Sequence, residues 1–169
     1  MDDARLTGGG GPRPEPNHDG AGRPVGDGPV VVTGATGFVG RFTVAALEGA
    51  GYRVRPVGRA EVGEIHRGTD WSQALEGATA VVHLAARVHV MDDRSPDPAA
   101  AFREVNLYGT AGLATQAREA GVRRFVLMSS IKVMGDRGWK LDPYAEPMPE
   151  DPYAVSKIEA ELALRDLKG

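Results

Sequence analysis

The sequence contains no cysteine, which excludes disulfides, thiolate metal sites and a cysteine nucleophile. Its four histidines, His18, His66, His83 and His89, show no ligand spacing, so no metal centre is expected. No apolar run approaches the roughly 20 residues of a membrane-spanning helix. No charged-then-apolar leader opens the sequence either. An excess of charge of one sign is also lacking. The formal net charge is -3, which leaves no basic face for nucleic acid. These absences point to a cytoplasmic protein with neither membrane nor nucleic acid as a partner. At 169 residues the chain is one domain's worth, enough to bury a sizeable core.

Glycine is what the sequence has in quantity. Residues 1–28 hold Gly8 to Gly11, Pro12, Pro14, Pro16 and Pro24 with few large apolar side chains. Such a segment buries too little surface to offset its ordering entropy, and a disordered tail is expected there. The remainder, 29–169, opens on Val30-Val31-Val32-Thr33-Gly34-Ala35-Thr36-Gly37-Phe38-Val39-Gly40. Three β-branched residues make a strand buried on both faces, and a helical pattern starts at Phe38. Gly34 permits the tight turn, Gly37 lets backbone approach a pyrophosphate, and Gly40 lets helix and strand pack closely. The helix N-terminus then faces the phosphates with free N–H groups and its dipole. A dinucleotide-binding turn is the expectation.

Val39, Phe42, Ala46 and Ala50 recur at helical spacing up to Gly49-Ala50-Gly51. A second strand, Tyr52 to Val57, ends at Gly58-Arg59. In doubly wound folds an acidic side chain at that point holds a ribose 2′-OH, whereas arginine accommodates a 2′-phosphate. Arg59 therefore leans the expectation from NAD towards NADP. Asp70 caps a short helix through Leu75, and Ala80 to Ala86 reads as a buried strand with His83 as a satisfied core residue. Asp97-Pro98 starts a helix that runs to Gly121, with Phe102, Val105, Leu113 and Ala117 on its buried side. Asn106 is a poor helix former in that helix, which points to a tertiary role. Arg124 to Met128 is the next strand, and Ser129-Ser130 stand at its C-terminal end, where open α/β sheets bind ligands. Asp151-Pro152 then starts the helix of Tyr153 and Lys157. The alternation predicts an α/β fold, a Rossmann-like doubly wound sheet with at least five parallel strands.

Tyr153 and Lys157 are four apart and share one helix face. A free phenol titrates near 10, and a fixed ammonium lowers that value. A hydroxyl such as Ser130 holds a substrate oxygen beside the phenol. The set suits moving a proton while a nicotinamide moves a hydride.

With these motifs in place, the chain resembles the extended short-chain dehydrogenase/reductase family, the NAD(P)-dependent sugar-nucleotide epimerases, dehydratases and reductases. The resemblance rests on the glycine turn from Thr33 to Gly40, His83-Leu84-Ala85-Ala86, Val105-Asn106-Leu107-Tyr108-Gly109-Thr110, Ser129 to Gly135, and Tyr153-Ala154-Val155-Ser156-Lys157. It implies that Ser130 orients the substrate, Tyr153 is the acid/base, and Lys157 also holds the nicotinamide ribose, with Asn106 as the family's helix asparagine. It further implies a cofactor held by Gly34, Thr36, Gly37, Phe38, Val39 and Gly40, by Leu84, Ala85 and Ala86, and by Glu64 and Ile65 beside the adenine. Ile131 and Lys132 stand where 4,6-dehydratases carry an Asp-Glu pair, which disfavours dehydration. The runs through His89-Val90 and Val133 look like bacterial 4-epimerases or 4-keto-reductases of surface-polysaccharide nucleotide sugars. Met134 departs from the usual tyrosine or asparagine. The family runs to about twice this ordered length, so the resemblance covers a first half without the substrate domain. It leaves a homodimer open. The alternatives are a non-catalytic dinucleotide sensor and an inactive fragment of the enzyme.

Overall fold

The computed structural model describes residues 28–88, 95–135 and 146–167. The tail expected over 1–28 lies outside these residues except for Gly28, whose carbonyl accepts from Thr79 Oγ1 at 3.1 Å. His89 and Val90, and most of the loop before Asp151, also lie outside them.

Four strands form one parallel sheet: β1 (Val30–Thr33), β2 (Val54–Val57), β3 (Ala80–His83) and β4 (Arg124–Leu127), in the order β2-β1-β3-β4. The expectation of at least five strands is corrected to four among the described residues. A fifth needs a further right-handed crossover beyond the last helix, and the described residues end at 167. Chain order reverses between β1 and β3, so a crevice opens there at the C-terminal edge. Register sets that edge in one row, with Thr33, Val57, His83 and Leu127 side by side.

Helices cover both faces. On one face Val31, Val57 and Val81 pack against Trp71, Leu75, Leu113 and Ala117. On the other, Val30 and Val32 pack against Val44 and Leu47 of α1 (Phe38–Gly49). The face of α1 turned to the sheet runs through Gly40, Val44 and Leu47, whereas Val39, Phe42, Ala46 and Ala50 are exposed. The stripe that announced the helix is therefore its outer side. The cause is Gly40, where a Cβ would stand 2.2 Å from the Gly34 carbonyl oxygen. Only a residue without a side chain fits where α1 meets the turn after β1.

After the short helices α2 (Arg59–Val62) and α3 (Ser72–Leu75), a long helical segment follows β3. It comprises α4 (Pro98–Arg103), a wide π-helical turn (Glu104–Gly109) and α5 (Thr110–Glu119). Asp97 caps it as expected, accepting from the Ala100 amide at 3.0 Å. Asp70 acts one residue away from the expected cap and accepts from the Ser72 amide at 2.9 Å. A 3₁₀ turn (Ile131–Met134) follows β4, and α6 (Pro152–Asp166) starts at Asp151, which accepts from the Ala154 amide at 2.7 Å. Among the described residues, no helix is long and apolar enough to cross a membrane.

Candidate active site

A cavity of about 620 Å³ opens at the C-terminal edge of β1 and β3. Its floor is the glycine turn. Gly34 has φ of +67°, a left-handed conformation, and a Cβ there would meet the Ala85 amide nitrogen at 2.8 Å. Glycine is needed for both reasons. At Gly37 a Cβ would lie 3.2 Å from the Gly34 oxygen, so bare backbone faces the space. Thr36 joins these two on the floor, and Leu84, Ala85 and Ala86, just past the end of β3, form a wall. Arg59, Glu64 and Ile65 close the opposite side. Phe38, Val39 and Gly40 lie in the first turn of α1 and are not among the lining residues; Phe38 and Val39 are exposed. Ser130, Tyr153, Lys157 and Asn106 do not line this cavity either.

The lining includes residues that the sequence reading left unassigned. Thr33 is one, and Trp71 is another. Trp71 is wholly buried, and its indole Nε1 has no hydrogen-bond partner. A second cavity of about 550 Å³, by the β2 edge, is lined by Arg55, Glu61, Asp70 and Gln73. Arg55 there donates to the Ala74 and Glu76 carbonyls at 2.8 and 2.7 Å, and none of the sequence-predicted site residues takes part.

A buried polar chain supports the cavity from below. The Ala85 amide donates to Thr33 Oγ1 at 3.2 Å, and Thr33 Oγ1 lies 2.6 Å from His83 Nδ1. His83 Nε2 lies 3.1 Å from Thr110 Oγ1. Thr33 Oγ1 accepts from the amide and keeps a second lone pair and its proton, so it pairs with His83 Nδ1 in either tautomer of the ring. Burial, and then the charge of Lys157, push His83 down to about 3, so it is neutral. The reading of His83 as a satisfied core residue holds.

Asn106 is 1% exposed and sits in the π-helical turn. Its Oδ1 accepts from the Arg87 amide at 2.8 Å. Its Nδ2 donates to the Arg87 carbonyl at 3.0 Å and to Ser156 Oγ at 2.9 Å. Ser156 in turn donates to the Tyr153 carbonyl at 2.7 Å. Asn106 thus clamps the segment after β3 to α6. The widened turn is the kind of helical irregularity often found at functional sites.

Ser130 caps the 3₁₀ turn, accepting from the Lys132 amide at 3.3 Å. Lys132 Nζ is 2.7 Å from Asp151 Oδ2. Burial opposes the Asp151 charge, but the bonds from Lys132 and the Ala154 amide outweigh it and hold the carboxyl below its usual range. This pair fastens the segment of Ser130 to the start of the helix of Tyr153. Phe102 meets the Tyr153 ring edge-on at 6.1 Å. Lys157 is 2% exposed, and burial pushes its ammonium down to about 8 while Glu161 pulls the other way.

Residues 30–168 match the NAD dependent epimerase/dehydratase family. The chain belongs to that family. It is 42% identical to the UDP-glucose 4-epimerase of Vibrio cholerae over 149 residues, which are 80% of this chain and 45% of that protein. Among solved structures, it resembles a short-chain dehydrogenase/reductase superfamily protein from Agrobacterium tumefaciens with bound NAD. That match has a TM-score of 0.70 at 34% identity, over 81% of this chain and 44% of the other. MoeE5, solved with UDP-glucuronic acid and NAD, matches with a TM-score of 0.71 at 31% identity, over 80% and 48%. The RMD protein of Pseudomonas aeruginosa, complexed with NADPH, matches with a TM-score of 0.65 at 28% identity, over 80% and 47%. Structural neighbours thus bind NAD or NADPH. The chain spans about half the length of these relatives.

Proposed function

We propose that this chain is the dinucleotide-binding half of an NAD(P)-dependent epimerase or reductase acting at C4 of a nucleotide sugar, in surface polysaccharide synthesis. The observation that carries the reading is Lys157. A buried amine is costly to keep charged, and no hydrogen bond or ion pair joins Lys157 to another described residue. A fixed ammonium one helical turn from Tyr153 has a use when a phenol must give up its proton. A non-catalytic sensor has no such use.

The cradle fits a dinucleotide on its own geometry. The Gly34 and Gly37 backbone leaves room for a pyrophosphate, Glu64 and Ile65 flank the adenine side, and Arg59 stands at the ribose. The cavity volume lies in the range of small-molecule sites, about 300–1,000 Å³. A bound nicotinamide would supply the acceptance and return of a hydride. Tyr153 takes the proton from the sugar hydroxyl as the hydride leaves, and returns it to the oxygen in the reverse step. Lys157 stabilises the phenolate and holds the nicotinamide ribose, and Ser130 holds the sugar oxygen. Asn106 touches none of these atoms and acts by positioning. Ile131 and Lys132 provide no acid pair for dehydration, and Lys132 is committed to Asp151.

The test has two arms. Titration of the 169-residue chain with NADH and NADPH, followed by nicotinamide fluorescence, is expected to give saturable binding. That binding survives Tyr153→Phe and is lost in Lys157→Ala. Turnover of UDP-glucose is expected to be little or none in this chain alone, because positioning of the sugar supplies about 7–11 kcal/mol of a barrier. Robust turnover by the isolated chain would overturn the half-enzyme reading. Absence of binding to either dinucleotide would overturn the function.

A further inference from the structure

Glu161 lies on α6, one helical turn beyond Lys157 and two beyond Tyr153. Its carboxylate Oε1 accepts a hydrogen bond from Ser129 Oγ, the hydroxyl just past β4 and next in sequence to Ser130. Its side chain is 24% exposed, and Arg165 approaches only to 3.9 Å at an exposed position. At i,i+4 spacing on a helix, side chains face one another with about 5–6 Å between Cβ atoms. So a carboxylate bonded at the end of β4 stands on the same helix face as the buried amine, without forming an ion pair with it.

We propose that Glu161 is a positioning residue for the Tyr153–Lys157 pair. Its carboxylate, fastened to Ser129, keeps the buried Lys157 amine charged and ties the end of β4 to α6. The proposal rests on the reading of Tyr153 and Lys157 as the acid–base pair. It goes beyond that reading by naming what keeps the ammonium charged before any ligand arrives.

The charges on neighbouring elements are engaged elsewhere. Arg103 of α4 pairs with Glu159 at 2.7 Å. Glu104 of the π-helical turn pairs with Arg67 at 2.8 Å. Lys132 of the 3₁₀ turn pairs with Asp151. Arg118 and Glu119 of α5 are exposed. From the sheet, His83 of β3 faces Lys157 as a neutral imidazole. Among the described residues, that leaves Glu161 as the anion opposing the desolvation of Lys157. Its distance of 32 residues from Ser129 hid the link in the sequence.

The chain has four lysines, Lys132, Lys140, Lys157 and Lys168, so lysine Cε resonances of isotope-labelled protein are few enough to titrate one by one. Lys157 is expected to titrate near 8 in the wild type. Glu161→Gln keeps an acceptor for Ser129 and removes only the charge. Its midpoint for Lys157 is expected to fall by about one pH unit, the low end for losing a nearby opposite charge, with an unchanged circular dichroism spectrum. Glu161→Asp, with the charge on a shorter arm, falls between the two. NADH affinity measured from pH 6 to 9 is expected to weaken about one unit earlier in Glu161→Gln than in wild type. A Lys157 midpoint that is the same in all three proteins overturns the proposal. If no dinucleotide binds the wild type while the midpoint still shifts, the proposed function fails and the action of Glu161 on Lys157 stands.

Discussion

Asn106 Nδ2 donates to Ser156 Oγ across 2.9 Å, joining two helices through residues 50 apart in sequence. The same amide holds both backbone groups of Arg87, so one side chain sets where the wall of the cavity meets α6. Asn106→Ala removes the three hydrogen bonds of this buried amide, each worth about 0.5–1.5 kcal/mol net. Urea unfolding is expected to register a loss of about 2 kcal/mol or more on that basis. A loss within about 0.5 kcal/mol, the usual range for neutral surface changes, would show that the clamp is dispensable.

Two glycines of α1 are expected to respond in opposite directions to the same substitution. A Cβ at Gly40 would stand 2.2 Å from the Gly34 oxygen and 2.8 Å from Ala35 backbone carbons. Backbone cannot move aside as a side-chain tip can, and overpacking of this kind costs about 1–3 kcal/mol or more. A Cβ at Gly49 would meet nothing within 4 Å, and the helix gains about 0.5–1 kcal/mol from alanine there. Thermal unfolding of Gly40→Ala and Gly49→Ala checks both signs. A stable Gly40→Ala would mean that α1 packs farther from the turn at Gly34 and Ala35 than described.

Local chemistry was legible in the sequence, and long-range partnership was not. The turn at Gly34, the helix starts at Asp97 and Asp151, and all four strands follow from residue type and short spacing. The outward stripe of α1 was ambiguous because Phe42 and Val44 are both apolar and only the close contact at Gly40 decides between faces. The π-helical turn around Asn106 inserts one residue into a helical period, too small a disturbance for apolar spacing to reveal. Ser156 and Thr33 stood inside recognised motifs without a role, because their partners lie 50 residues away and are fixed by sheet register.

The neutral His83 makes stability depend on pH in a defined window. Its folded value, about 3, lies below the ordinary 6.5, so below pH 6.5 the unfolded chain takes up a proton that the folded one refuses. The stability tied to His83 is therefore complete above pH 6.5 and is lost as pH falls towards 3. The slope approaches about 1.4 kcal/mol per pH unit. Asp70, Glu104 and Asp151, each held below its ordinary value of 3.8, 4.5 and 3.8, lose their contributions only at lower pH. Lys157 acts only between 8 and 10.5. Urea unfolding between pH 6.5 and 5 is thus expected to show the slope in wild type and to lose it in His83→Gln. Equal slopes in the two proteins would mean that His83 accepts a proton in the fold.

Cofactor preference turns on the rim of the cavity, where Arg59 Nε lies 3.0 Å from Glu64 Oε1 with side chains 82% and 75% exposed. An exposed pair of this kind is worth about 0–1 kcal/mol, so a 2′-phosphate competes for the guanidinium at little cost. Hydrogen bonds to charged groups contribute about 1.5–3 kcal/mol, or about 10–100-fold in affinity. Arg59→Ala is expected to weaken NADPH by about that factor and to leave NADH nearly unchanged. Glu64→Gln removes the carboxylate that repels a phosphate and occupies the arginine, so it is expected to raise NADPH affinity relative to NADH. Fluorescence titrations of the three proteins with both dinucleotides decide the matter. If Arg59→Ala binds NADPH as wild type does, the arginine is not the selector. If Glu64→Gln instead weakens NADH specifically, the carboxylate holds the ribose hydroxyl and the site prefers NAD.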